Sequence, residues 1–291
     1  MRFLVTLILI LHTAVASAET GMNAQKLQGK YNSLSKELRD NHYGRPLHIE
    51  SVEQESKLKG DIYAVVDHSF ATFSKALDNP DNWCDVLLLH LNIKHCQATP
   101  GKSGTLLSVN LGKKEEQPLS KTYRVDFDFR STKPSSDYFQ LQLTADTGPV
   151  GTHDYHILLE AIPIAGKTFM HLTYSYGFGL SSRLATKTYL STMGRDKVGF
   201  TITGKNSDGS AQYVDGVRGV VERNTMRYYL AIDAYLGGLS APPDQQFEKQ
   251  LKLVIDATEE YPLQLHEVDR STYLEMKRNE YQRQQQSQAS L

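Results

Sequence analysis

The chain has 291 residues, with 32 Lys and Arg against 33 Asp and Glu, a formal charge of -1 and a pI near 6.8. A surface so close to neutral gives no electrostatic footprint for nucleic acid, and this length is enough for one large core or two small ones. Beyond the first residues the apolar runs, such as 86–89, are far too short to cross a bilayer.

Arg2 followed by the apolar stretch 3–15 and by Ala16-Ser17-Ala18 has the form of an export signal, with cleavage expected before Glu19. The expected product is exported, periplasmic in a cell with two membranes, and carries no integral membrane segment after cleavage. The two cysteines, Cys84 and Cys96, are twelve residues apart. Two readings stand for them: a disulfide, which an oxidising compartment permits, or two buried thiols.

Residues 23–39 are expected to be helical, with Leu27, Tyr31, Leu34 and Leu38 at the helical period. Residues 47–66 read as extended. Two short helices are expected at 68–77 and 81–90, separated by Asp78-Asn79-Pro80. The period then changes to two. Tyr123, Val125, Phe127 and Phe129 alternate with charged residues, and Phe139, Leu141, Leu143 and Ala145 alternate with polar ones, the pattern of half-buried strands. Further strands are expected at 91–97, 104–111, 154–162 and 167–177, which without intervening helices makes an antiparallel sheet. A helix at 182–194 and a short hairpin turning at Asp208-Gly209 follow. Residues 216–236 form the longest helical candidate, stopped by Gly237-Gly238, and helices are expected around Phe247, Leu251, Val254 and Ile255 and over 269–283. The Gln- and Ser-rich end, 284–291, reads as unstructured. The expected division is a leader at 1–18, an N-terminal helix within 19–46, a main domain at 47–238 and a helical extension at 239–283.

No catalytic, cofactor or metal motif survives inspection. His153 and His156, three apart on an expected strand, fall on opposite faces. His90, His95 and Cys96 lack a fourth ligand at a zinc spacing. No G-x-S-x-G elbow is present, and Ser181 in the nearest stretch reads as a helix cap. The stretch from Thr99 to Ser103 lacks the first glycine of a phosphate loop, since that position is Cys96. Asp126 and Asp128 share a strand face with Arg124 and Arg130, a solvated charge ladder. Glu160, inside an apolar stretch, reads either as a site carboxyl or, more simply, as an exposed alternate-face residue. Glu222, Arg223, Asn224 and Arg227 read either as orienting a ligand head group or as a surface ion-pair face.

The order of helix, strands, two short helices, six antiparallel strands and a long amphipathic helix resembles the START-like, or helix-grip, superfamily of lipid-transfer domains and polyketide cyclases. Within it, Gly60-Asp61-Ile62-Tyr63-Ala64-Val65-Val66-Asp67-His68-Ser69-Phe70, leading to Asn82-Trp83-Cys84-Asp85, is similar to the family's first strand and short-helix pair. The chain is also similar to uncharacterised exported proteins of Gram-negative bacteria. The resemblance covers about residues 47–238 and implies an α+β fold in which a curved antiparallel sheet grips a long C-terminal helix, with extra C-terminal helices added. It implies an apolar tunnel, lined by Phe127, Phe129, Phe139, Leu141, Tyr174, Tyr176, Tyr228 and Tyr235, that takes an apolar small molecule or lipid. A filled core built from the same aromatics is the alternative. Two other functions stay open: an enzyme of cyclase-like or hydrolytic type using Glu160, His171 and Tyr174, and an interaction module working through its C-terminal helices.

Overall fold

The protein's structure, a computed structural model, describes residues 23–101, 104–132, 135–179 and 197–289. The expected leader, the helix at 182–194, Ser181 and the pair Lys102-Ser103 lie outside the described residues.

Helix α1 spans Ala24–Ser33 and is capped by Asn23, whose side-chain oxygen accepts the Lys26 N–H at 2.9 Å. It is shorter than its period suggested, since residues 34–39 continue as turns. Leu27, Leu34 and Leu38 nevertheless all bury against Tyr63, Ile162 and Phe169 on the outer face of the sheet. The extended stretch 47–66 is a hairpin, β1 Leu47–Glu53 and β2 Lys57–Val66, because Gln54, Glu55 and Ser56 bring no apolar side chain to hold a continuous strand. Helices α2, Phe70–Leu77, and α3, Pro80–Leu88, are capped by Ser69 and Asn79, with Pro80 at the position where its missing N–H costs nothing. The fully buried Trp83 donates its indole N–H to the Leu77 carbonyl at 2.8 Å, which locks the two helices together.

Strands β3 Ile93–Gly101, β4 Gly104–Leu111, β5 Tyr123–Ser131, β6 Phe139–Thr147, β7 Thr152–Ile164 and β8 Lys167–Phe178 complete one antiparallel sheet in the order β1-β2-β8-β7-β6-β5-β4-β3. The last strand thus pairs with β2, and the segment carrying α2 and α3 crosses from the second strand of the sheet to the opposite edge. On β5, Val125, Phe127 and Phe129 turn inward while Arg124 and Asp126 pair at 2.8 Å in solvent, the expected charge ladder. A short hairpin, β9 Ile202–Lys205 and β10 Ala211–Tyr213, turns at Gly209, whose φ of +85° suits glycine.

Helix α4, Gly216–Gly238, lies on the inner face against β1, β2 and β8 and against α3. A glycine makes this seating possible: a Cβ on Gly60 would sit 2.3 Å from the Thr225 hydroxyl oxygen. Gly237 and Gly238 do not stop the helix as expected. They form its last turn, and a Cβ on Gly238 would meet Gln250 at 2.3 Å, so these glycines let the next helix approach.

That helix, α5 Gln246–Glu259, is followed by α6 Pro262–Leu265 and α7 Arg270–Ala289. The end expected to be unstructured is helical to Ala289. The fully buried Gln284 explains why: it accepts the Cys96 N–H at 2.9 Å and donates to Asp85 at 3.2 Å. Two turns earlier, the Lys277 ammonium donates to the His90 and Ile93 carbonyls and to Glu280, each at 2.8 Å, and Lys94 meets Glu280 at 3.0 Å. Helix α7 therefore covers the β3 edge with paired charge instead of leaving it open. Leu251, Ile255, Tyr261, Leu265, Tyr273 and Met276 belong to the same core as the sheet. Cys84 and Cys96 are joined as a disulfide, with Cα atoms 5.0 Å apart, fastening α3 to β3.

Candidate functional site

Strand parity decides which side chains look inward. On β8, Tyr174 and Tyr176 point to the α4 side, and on β7, Tyr155 and Ile157 do the same after a bulge between His153 and His156 that bends the strand. On β4 and β5 the inward residues include Val109 and Phe127. Across from them, α4 presents Asn224 and Tyr228, four residues apart and so on one helical face.

Tyr174 and Tyr228 touch, but beside them the two layers leave a cavity of about 220 Å³, lined by Val109, Leu111, Phe127, Tyr155, Ile157, Tyr174, Asn224 and Tyr228 and, from the α3–β3 region, by Leu87, His90, Asn92 and Ile93. Four strand spacings separate β4 from β8, about 19 Å on a flat sheet. For both strands to line one cavity of this volume, the sheet must curl around it. The tyrosines are mutually arranged around the space: Tyr174 and Tyr228 have ring centroids 5.2 Å apart, Tyr155 and Tyr176 stack at 5.4 Å, and Phe127 meets Tyr155 edge-on at 6.2 Å.

Of the eight residues expected to line a tunnel, three do so: Phe127, Tyr174 and Tyr228. The other five are buried in the filled core instead. Phe139 packs edge-on against Phe73, Leu141 and Phe129 face the same interior without reaching the cavity, Tyr176 stacks behind Tyr155, and Tyr235 lies further along α4, near Asp85 and Tyr281. The two readings of the aromatics, tunnel or packed core, are therefore both realised, each by a different subset. Tyr155 and Ile157 share an inward parity legible on β7. His90 and Asn92 had no local signal, because a loop brings them there.

His90 is the most informative of the lining residues. It is 5% exposed, its ring lies 4.9 Å from that of Tyr228, and its Nδ1 accepts the Asn92 backbone N–H at 3.2 Å. With Nδ1 an acceptor, the proton sits on Nε2, and that buried N–H has no hydrogen-bond partner among the described residues. A donor left so costs about 1–3 kcal/mol. Burial, reinforced by Arg227, Lys277 and Lys94, holds the imidazole well below its ordinary range, so it is neutral. Burial likewise pushes the Tyr174 and Tyr228 hydroxyls up, and they keep their protons.

A second polar cluster lies on the opposite face of the sheet. His171 Nε2 meets Asp61 at 2.9 Å and Nδ1 meets Glu160 at 3.0 Å, while Thr173 donates to Asp61 at 2.6 Å and the Tyr138 hydroxyl donates to Glu160 at 2.5 Å. Glu160 is fully buried, which corrects its reading as an exposed residue. Burial pushes the His171 pKa down, but the hydrogen bonds to Asp61 and Glu160 outweigh it and leave the group raised. An imidazolium that donates from both nitrogens has no lone pair with which to act as a base. Tyr174, on the inner face, is separated from this cluster by the sheet itself. The grouping of Glu160, His171 and Tyr174 as a catalytic set is thereby removed.

The polar residues of α4 also divide. Glu222 is buried, not on a surface face: it accepts the N–H groups of Phe200 and Thr201 at 2.6 and 2.9 Å and the Ser51 hydroxyl at 2.5 Å. Arg223 is buried as well and donates to the Val198 carbonyl at 3.1 Å. Arg227 pairs with Glu267 at 2.9 Å. Only Asn224 of the four reaches the cavity. The bridge consumes the Cys96 sulfur, so it cannot join His90 and His95 as a thiolate ligand, and among the described residues no group of His, Cys, Asp and Glu is arranged to hold a metal ion. No described helix is long and apolar enough to cross a membrane.

No family model and no curated protein matches the sequence. Among solved structures, the chain is similar to Ara h 8.0201 at 11% identity and a TM-score of 0.33, over 67% of this chain and 99% of that one. A STAR-related lipid transfer protein from Xanthomonas axonopodis matches at 11% identity and a TM-score of 0.35, over 50% of this chain and 86% of that one. Norcoclaurine synthase from Thalictrum flavum matches at 15% identity and 0.32, over 51% and 93%. Scores this low carry neither family nor function across. What stands on the chain's own strand order, with β2 paired to β8 and a long helix seated on the inner face beside a cavity, is a helix-grip fold of α+β class.

Proposed function

We propose that this protein binds a small apolar molecule between its sheet and α4, and that it carries the molecule in an exported setting. The observation that supports this reading is the cavity itself. Cores are normally packed with few voids larger than a water, and a space of about 220 Å³ among tyrosines on the inner face leaves room for an occupant. Burial at about 25 cal/mol per Å² supplies the driving force for capture. A cavity of roughly 150 Å³ already accepts benzene, so this one suits a substituted ring and is too small for a two-chain lipid.

Export is supported by the Ala16-Ser17-Ala18 sequence together with the Cys84–Cys96 bridge, since structural disulfides belong to oxidising compartments. N-terminal sequencing of the protein recovered from outside the cytoplasm should begin at Glu19, and an intact Met1 on that protein would refute cleavage.

Binding is tested by titrating the full chain with ethylbenzene, followed by NMR. Saturable shifts should appear at residues around the cavity and vanish in Val109→Phe, which places a ring in the space. Shifts that persist unchanged in the filled variant would locate the binding elsewhere.

A further inference from the structure

A second pocket shares no lining residue with the cavity under α4. Its volume is about 430 Å³, and five of its lining residues carry rings: His42, Tyr43, Phe200, Tyr213 and Tyr261. They come from the turn before β1, from the segment around β9 and β10, and from the link between α5 and α6. The rings form a continuous arc. Centroids are 6.3 Å apart from Tyr213 to His42, 4.0 Å from His42 to Tyr43, 6.4 Å from Tyr43 to Phe200 and 5.3 Å from Phe200 to Tyr261. Successive planes are tilted by 40 to 79°, so the arc is folded and an occupant meets rings on more than one side. Two hydrogen bonds fasten it: His42 Nε2 donates to the Phe200 carbonyl at 2.9 Å, and the Tyr261 hydroxyl donates to the Tyr43 carbonyl at 2.7 Å. The rings are therefore in place before anything binds, which removes most of the ordering cost.

The charge of the lining has one sign. No Lys or Arg is part of it, and the exposed Glu260 supplies its carboxylate. Arg45 holds Glu260 through two hydrogen bonds of 2.8 Å but also pairs with Asp233 at 3.1 Å, so one guanidinium is divided between two carboxylates. His68 touches Asp233, at 3.2 Å, and not Glu260. Aromatic faces are themselves negative and attract a cation placed over them.

From this arrangement we infer a second binding site, for a small organic cation of the quaternary ammonium class, seated among the five rings with Glu260 as its countercharge. A quaternary head suits rings better than a primary ammonium does, because it has no N–H to satisfy and is more weakly hydrated. The site stands independently of the cavity under α4.

The test compares choline with 3,3-dimethylbutan-1-ol, which keeps the shape and puts carbon in place of the charged nitrogen. Each is titrated into the full chain at low salt and followed by NMR. Choline should saturate and bind about tenfold more tightly than the alcohol. Tyr213→Leu keeps apolar bulk at a half-buried position and should weaken choline by about threefold while leaving the alcohol nearly unchanged. Glu260→Gln should weaken choline by a similar factor, and Val109→Phe, which fills the other cavity, should leave choline binding as it was. Equal affinity for choline and the alcohol would overturn recognition of the charge. Choline shifts that never saturate, or saturation by glucose in its place, would overturn the site. Loss of choline binding in Val109→Phe would overturn its location.

Discussion

The two faces of the sheet use polar chemistry in opposite ways. On the outer face, Asp61, Glu160, His171, Thr173 and Tyr138 bond to one another at 2.5 to 3.0 Å with no space between them. On the inner face, the polar residues His90, Tyr155, Tyr174, Asn224 and Tyr228 surround a void, and a buried N–H stands unmatched. A network that has satisfied its own donors and acceptors has nothing left for a ligand, whereas neutral groups held apart by curvature do. Buried charge is thus a poor guide to function in this molecule, and buried incompleteness a better one. Residues three apart on one strand, His171 and Tyr174, fall on opposite sides of that divide.

The comparison is broken most severely at His171. His171→Leu removes the cation between two buried carboxyl groups, and the expected loss is about 3–5 kcal/mol of unfolding free energy, read from urea denaturation. A loss below about 1 kcal/mol would show that the outer face is not the self-contained network described here. Binding of ethylbenzene by the folded fraction should be unaffected.

Reduction of the Cys84–Cys96 bridge comes next. The closed loop is short, and the double variant Cys84→Ser with Cys96→Ser should lose about 3 kcal/mol in the chain-entropy account. Wild-type protein under strong reductant should fall to the same denaturation midpoint. Coincident midpoints with and without reductant would show that the bridge adds nothing.

A matched pair of enlargements sharpens the contrast between hollow and filled interior. Leu141 faces the packed part of the core, so Leu141→Phe should cost about 1–3 kcal/mol through overpacking. Val109 borders the cavity, so Val109→Phe should be close to neutral or stabilising by up to about 1 kcal/mol, because the added ring enters existing space. Equal penalties at the two sites in thermal melts would mean that the cavity is not available space.

The smallest effect lies beneath α7. Burial, with Asp81 nearby, raises the Asp85 carboxyl to about 6. Between pH 4 and pH 6 the native state therefore holds a proton that the unfolded chain has released, so stability falls as pH rises through that window. Two pH units on a fully buried group amount to ~3 kcal/mol, and the partial exposure of Asp85 reduces the expected swing to about 1 kcal/mol. Asp85→Asn should remove that slope from the pH dependence of the denaturation midpoint, and an unchanged slope would assign it to another group.

The strands were legible in the sequence because their side chains alternate: Val125, Phe127 and Phe129 against Arg124 and Asp126, Phe139, Leu141 and Leu143 against polar neighbours. The hairpin hidden in 47–66 was not, since it turns on the absence of an anchoring side chain and leaves no positive mark, and neither was the early end of α1, because Leu34 and Leu38 keep the helical spacing while the backbone leaves the helix. The glycines at 237–238 were misleading for a related reason. Glycine signals both a helix end and a close approach, and only the position of Gln250 distinguishes the two.

Local sequence determined the order of elements and the face each side chain takes, because helical and strand periodicity are properties of neighbouring residues. Tertiary structure alone decided the rest. It paired Cys84 with Cys96, buried Glu160 against His171, and carried Gln284 across the molecule to the backbone of Cys96. It also decided that Phe127, Tyr174 and Tyr228 border a space while Phe139 and Leu141 do not. A void depends on how far a sheet curls and where a helix comes to rest, quantities set by contacts among residues distant in the chain and carried by no single stretch of it.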